Sequence, residues 1–167
     1  MVENYAKIIQ VIADANGVVG RKKLQKMIYI AKKLDLPFEE KFGFHFYGPY
    51  SEELTLRIDE LCDLGYLQEM KEDKGNYIQY RYEVTPEGQE LLVEQEDELL
   101  TCTDLILKMN GENSRFLELV STIMYFDDLS KEEVEEKIFT LKAKQKYTLE
   151  EINYAYQYIN HLQKMVQ

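Results

Sequence analysis

Few side chains in this sequence have the types and spacing that catalysis requires. His45 lies close in sequence to Tyr47 and Tyr50, so a proton-transfer pocket is one interpretation, although a single His on a strand is usually hydrogen-bonded structure. His161 has no acidic partner at a suitable spacing. There is no glycine-rich phosphate loop, metal-ligand set or nucleophile motif. We therefore expect no catalytic residue, no metal and no cofactor, and a protein that is not an enzyme.

The distribution of charge bears on what the protein binds. The 167 residues carry a net charge of −11, with 31 acidic and 20 basic side chains. The first fifty residues are net basic, with eight basic and five acidic side chains, and the remainder is strongly acidic. An acidic balance repels phosphate backbones and favours solubility or a basic protein partner. Charge therefore does not favour DNA as a partner.

The N-terminus and the cysteines indicate a cellular compartment. The first ten residues have the pattern of an amphipathic helix rather than a signal peptide, and no apolar run approaches the roughly 20 residues that span a bilayer. Cys62 and Cys102 form no Cys-x-x-Cys pair, so we expect reduced, buried thiols. These observations predict a cytoplasmic protein that does not contact a membrane.

The stretch from Phe42 to Leu54 organises the predicted fold. Its phenylalanines at positions 42, 44 and 46 alternate with other residues, as in a strand, and Gly48-Pro49 is predicted to form the turn. Ser51 is a suitable N-cap for a helix that ends at Gly65. Two amphipathic helices, 3–15 and 20–34, precede this stretch, and a β-hairpin with a polar tip, 66–85, follows it.

That order of elements predicts a mainly α protein of the α+β class. Residues 1–88 are expected to form a winged helix-turn-helix domain with a small β-hairpin wing, and residues 89–167 a C-terminal helical extension. The extension would contain one long helix from Thr85-Pro86 to about Met109, a nearly all-apolar helix, and two helices that begin with capping boxes at Ser130 and Thr148. The apolar run from Phe116 to Phe126 raises the hypothesis of a homodimer, with the extension otherwise packed on the first domain.

Two surfaces could bind a macromolecule. Aromatic side chains cluster around the turn, and Tyr is a favoured anchor at protein interfaces. This favours a non-enzymatic protein-binding regulatory or adaptor module with an unknown partner, whose contact residues would be Tyr47, Tyr50, Ser51, Glu52 and Glu53. The alternative is a DNA-binding transcriptional regulator that uses Arg21, Lys22, Lys26, Arg57, Lys71 and Lys74. Five acids and one Arg on the third helix make a poor base-reading surface, which weighs against this alternative.

Two motifs resemble a known family. At Gly20–Tyr29 and Phe44–Leu54, and again at Leu61–Leu67, the chain resembles the YwgA-like proteins of Bacillus and its relatives. More distantly it is similar to the SocA-like, or Panacea, antitoxin domains, which share a Lys-Leu-Gln-Lys-type helix and a Tyr-Gly-Pro turn. The closer resemblance covers roughly residues 1–88 and implies the winged-helix fold. The distant one implies an antitoxin-like module that binds a toxin or a protease system, although Tyr50-Ser51 stands where those domains have Val and Pro.

Overall fold

The computed structural model describes residues 2–96 and 102–167. Its helices are α1 (Val2–Asp14), α2 (Arg21–Lys33), α3 (Glu52–Asp63), α4 (Pro86–Glu94), α5 (Thr103–Asn110), α6 (Ser114–Tyr125), α7 (Lys131–Leu141) and α8 (Leu149–Met165). Its strands are β1 (Val18–Val19), β2 (Gly43–His45), β3 (Gly48–Tyr50), β4 (Leu67–Asp73) and β5 (Ile78–Val84). A short 3-10 helix, Ala143–Gln145, separates α7 from α8.

Two small antiparallel sheets accompany the helices. One has the strand order β1-β5-β4, with Val18 opposite Tyr82 and Leu67 opposite Val84, and the other is the β2-β3 hairpin. Tyr82 is buried at the centre of the larger sheet, where its hydroxyl contacts Arg21 and Glu69. The mixed α+β class that the sequence predicts is therefore confirmed.

Helix α2 lies at the centre of the structure. Its residues Leu24–Ala31 are buried on every side of the helix, because β3 and β1 contact it along with α5 and α6. Helix α6 is buried between α2 and α8, and its apolar residues belong to the same core cluster as those of α1 and α2. The apolar run that suggested a homodimer is therefore core of a single chain, which removes the reason for proposing a dimer through it.

The prediction of one long helix from residue 85 to Met109 is wrong. Helix α4 ends at Glu94, with Gln95 as its C-cap, and α5 starts anew after the N-cap Cys102. The apolar spacing of three and four that predicted one helix is equally compatible with two short helices on the same core. Leu99, part of that predicted spacing, lies outside the described residues.

Local helix signals are confirmed. Ser51 accepts a hydrogen bond from the backbone N–H of Leu54, and Thr85 caps α4 with Pro86 at its first position. Both capping boxes, at Ser130 and Thr148, are present. These signals depend only on residues within one turn of the helix end, so distant packing does not alter them.

Candidate functional site

The turn of the β2-β3 hairpin lies two residues earlier than predicted. His45 pairs with Gly48, so the turn consists of Phe46 and Tyr47, and Gly48-Pro49 lies in the second strand. Gly48 has a φ of 85°, a conformation that often follows a short hairpin turn and favours glycine. The alternation of phenylalanines predicted the first strand but also placed Phe46 within it, and that part is wrong.

The two resemblance motifs are in direct contact. Gln25 donates to the Ser51 carbonyl at 2.8 Å and accepts from the Ser51 backbone N–H at 2.9 Å, as a neighbouring strand would. Lys26 donates from Nζ to the Pro49 carbonyl at 2.7 Å. The Gln-Lys pair of α2 therefore fixes the end of the hairpin and the first turn of α3.

The C-terminal half holds the hairpin from the other side. Lys142 donates to the Phe46 carbonyl at 2.8 Å, and its Nζ lies 3.4 Å from a carboxylate oxygen of Glu118. A Cβ on Gly48 would lie 3.2 Å from the Thr122 hydroxyl, so the space behind the turn is filled. Phe44 packs against the aromatic end of α6, with ring centroids 5.1 Å from Tyr125.

Two of these hairpin contacts come from buried lysines. Lys26 and Lys142 are each 2% exposed, and one carboxylate, Glu118, lies close to both. Burial lowers the pKa of Lys26 to about 8; the charge of Glu118 opposes this shift, whereas those of Lys142 and Lys22 add to it. The backbone carbonyls of residues 46 and 49 supply the hydrogen bonds that make this burial tolerable.

The tip of the hairpin is exposed although its base is buried. Phe46 is 68% exposed and Tyr47 46% exposed, and their rings meet edge-to-face with centroids 5.0 Å apart. The Lys22 ammonium lies 3.4 Å from the Tyr47 ring centroid, and that of Lys144 lies 5.9 Å from the Phe46 centroid. We call these four residues the tip surface: two exposed aromatic rings with a cation beside each.

The predicted protein-contact residues divide between surface and support. Tyr47 belongs to the tip surface, and Glu52 is exposed at the start of α3. Ser51 is buried as a helix cap, and the Tyr50 hydroxyl is bonded to Thr55 at 2.8 Å. Glu53 accepts from the backbone N–H of residue 41 and pairs with Arg57, so its carboxylate already has partners.

The predicted DNA-contact residues do not form one accessible cationic surface. Arg21 pairs with Asp59 and Glu69, each at 2.9 Å, and Arg57 pairs at 2.9 Å with Glu40, whose side chain is fully buried. Lys26 is buried, whereas Lys22, Lys71 and Lys74 are exposed. The two wing lysines stand among Glu69, Glu72 and Asp73.

The residues considered for catalysis are dispersed. The His45 ring packs 5.1 Å from that of Tyr50, and His161 is exposed on α8. Cys62 and Cys102 are free, and burial raises the pKa of both thiols. Across residues 2–96 and 102–167 there is no cluster of three or more acidic, His or Cys side chains placed to hold a metal ion.

Sequence reasoning counted Phe46 among the aromatic residues around the turn but missed Lys144, Lys142 and Glu118 as parts of this site. Phe46 was placed inside a strand. Glu118 lies on α6, and Lys142 and Lys144 follow α7, about seventy to a hundred residues from the hairpin, so no local pattern connects them to it. Gly48 directly after two bulky residues is the one signal for the earlier turn.

Comparison with known proteins gives the family. The chain is 55% identical over 165 residues to the uncharacterised protein YwgA of Bacillus subtilis (strain 168), and the match covers 99% of each chain. The chain therefore belongs to the YwgA family, as the two motifs predicted. No model of a known protein family matches it. In the part of the chain that the structure describes, no helix is both long and apolar enough to cross a membrane.

Proposed function

We propose that this protein is a non-enzymatic protein-binding regulatory or adaptor module, and that the tip surface contacts its partner. The observation that carries the proposal is that the Phe46 and Tyr47 rings are exposed to solvent, whereas the hairpin backbone beneath them is hydrogen-bonded to Lys142 and Lys26. Exposed aromatic rings on a rigid backbone cost little conformational entropy to bury, which suits an interaction anchor.

We further propose that residues 1–88 form a winged helix, with 89–167 as a helical extension packed on it. The succession α1, β1, α2, α3, β4, β5, with the β2-β3 hairpin inserted between α2 and α3, and the sheet order β1-β5-β4 support this assignment. In a DNA-binding winged helix, α3 would enter the major groove. The exposed side chains of α3 include Glu52, Asp59, Glu60 and Asp63, and its single Arg is paired with Glu40, so the protein-binding function is the better supported.

Affinity capture from native lysate tests the proposal. We expect the wild-type chain to recover one stoichiometric protein after nuclease treatment, and the Phe46→Ala, Tyr47→Ala double variant to lose it. Tyr77→Ala with Tyr80→Ala is the matched control, because those two tyrosines are also exposed but lie on the wing. Recovery that disappears with nuclease, or that depends on the wing tyrosines instead, would contradict the proposal.

A further inference from the structure

The two cations of the tip surface have no carboxylate partner among the residues that the structure describes. Within the described residues, neither Lys22 nor Lys144 makes an ion pair, and each instead lies near an aromatic ring. By contrast, Arg21, Arg57 and Lys142 each have a carboxylate within 3.4 Å. The chain has 31 acidic side chains, and the carboxylate that lies behind the hairpin, Glu118, pairs with the buried Lys142.

We propose that the tip surface binds an acidic segment of a partner protein that carries an apolar side chain between its carboxylates. The apolar side chain would pack on the exposed Phe46 ring, and flanking carboxylates would pair with Lys22 and Lys144 on either side. This inference rests on the proposed function and names the chemistry of its partner. The two lysines make the tip surface itself suited to an acidic segment, although the net charge of the whole chain favours a basic partner.

The charge of the whole molecule separates this partner from a nucleic acid. Aromatic rings beside lysines also suit the bases and phosphates of a single strand. A nucleic acid strand carries a charge on every nucleotide, so the net charge of −11 opposes its binding more strongly than that of a short peptide with few carboxylates. A short acidic peptide places its charges only at the tip surface.

Selection from a random twelve-residue peptide display library on the full-length chain tests the inference without assuming a sequence. Counter-selection against the Phe46→Ala variant retains peptides that need the tip surface. We expect the enriched peptides to contain several Asp or Glu residues around one aromatic or aliphatic residue. Neutral or basic enriched peptides, or no enrichment over the variant, would overturn the inference.

Fluorescence anisotropy with the best selected peptide then tests the lysines. Lys22→Glu with Lys144→Glu should weaken binding at least tenfold in low salt, and less in high salt because screening reduces the charge contribution. Lys71→Glu with Lys74→Glu makes the same charge change on the wing and should alter binding less than twofold. Equal losses from both pairs would overturn the inference.

Two further experiments test whether a nucleic acid or a second copy of this chain occupies the tip surface instead. A twelve-nucleotide dT strand should not bind the tip surface, and binding that Phe46→Ala abolishes would favour nucleic acid instead. Sedimentation at high protein concentration should not change in the Lys22→Glu, Lys144→Glu variant, and a change would identify a second copy as the occupant. If peptide selection fails while lysate capture still depends on residues 46 and 47, the proposed function stands and only the acidic partner is rejected.

Discussion

At the scale of single residues, Lys26 combines burial with a charge that the native state disfavours. The unfolded chain keeps this proton up to the ordinary pKa of 10.5, whereas the native chain releases it near pH 8. Between these values the unfolded state binds more protons, so the free energy of unfolding rises with pH through this residue. The charged groups that act on Lys26 are Glu118, Lys142 and Lys22, and a variant at position 26 keeps all three.

Lys26→Met should therefore change the pH dependence of stability. From pH 7 to 9.5, the free energy of unfolding of the wild type should rise by roughly 2 kcal/mol relative to the variant, since one pKa unit corresponds to about 1.4 kcal/mol. Urea denaturation at several pH values measures this difference. If the free energies of unfolding of the two proteins changed with pH in parallel, burial would not lower the pKa of Lys26.

Arg57 has a structural role that differs from base reading. Its Nε lies 2.9 Å from a carboxylate oxygen of Glu40, which is buried and also accepts from Asn4. Arg57→Ala leaves that carboxylate buried without its cation and should lower the free energy of unfolding by about 3 kcal/mol. Arg81→Ala, which removes a surface ion pair with Glu83, should cost less than about 1 kcal/mol.

Adding Glu40→Gln to Arg57→Ala separates charge from packing. A neutral amide costs less to bury than an unpaired carboxylate, so the double variant should recover part of the lost stability in thermal or urea unfolding. If the double variant is less stable than Arg57→Ala alone, the account of this pair fails.

At the scale of elements, Gly88 allows a close backbone contact where β5 is followed by α4. Gly88 is buried in the first turn of α4, and a Cβ there would overlap the Tyr66 carbonyl oxygen and lie 2.7 Å from Cγ1 of Val84. The predicted domain boundary at residue 88 thus coincides with a close backbone contact, which places α4 against the strand end before it.

Gly88→Ala tests this contact. Helix propensity alone would make Ala stabilising by about 1 kcal/mol, but overpacking against a backbone carbonyl costs typically about 1–3 kcal/mol and has no flexible neighbour to absorb it. We expect a net loss of stability. Gly111→Ala is the control, because its Cβ would meet only ordinary contacts of 3.5 Å or more. Equal stability of the two variants would contradict the assigned packing.

How well each element could be predicted depended on the range of the interactions that form it. Caps and amphipathic stripes are local, so Ser51, Ser130 and Thr148 were predicted correctly. The hairpin turn was misplaced because strand periodicity does not reveal where a chain reverses. Its position is fixed by contacts from Lys142 and Gln25, which lie far away in sequence.

At the scale of the whole molecule, the C-terminal half of the chain contributes directly to the site. Helix α6 covers α2, and the segment after α7 supplies Lys142 and Lys144 to the hairpin. Packing of these helices on the first domain was one of two alternatives that the sequence left open, because the apolar run of α6 is equally consistent with an internal core and with a dimer interface. The contacts of Lys142 and Lys144 have no local sequence signal. The tip surface is therefore a product of the entire chain.

Site-specific photo-crosslinking in living cells tests the central claim most directly. A photoreactive phenylalanine analogue would replace Phe46 in one protein and Tyr77, the control on the wing, in another. We predict a discrete adduct with one protein from position 46 and none from position 77. No adduct at position 46, or equal adducts at both positions, would contradict the claim that the tip surface is where this protein binds its partner.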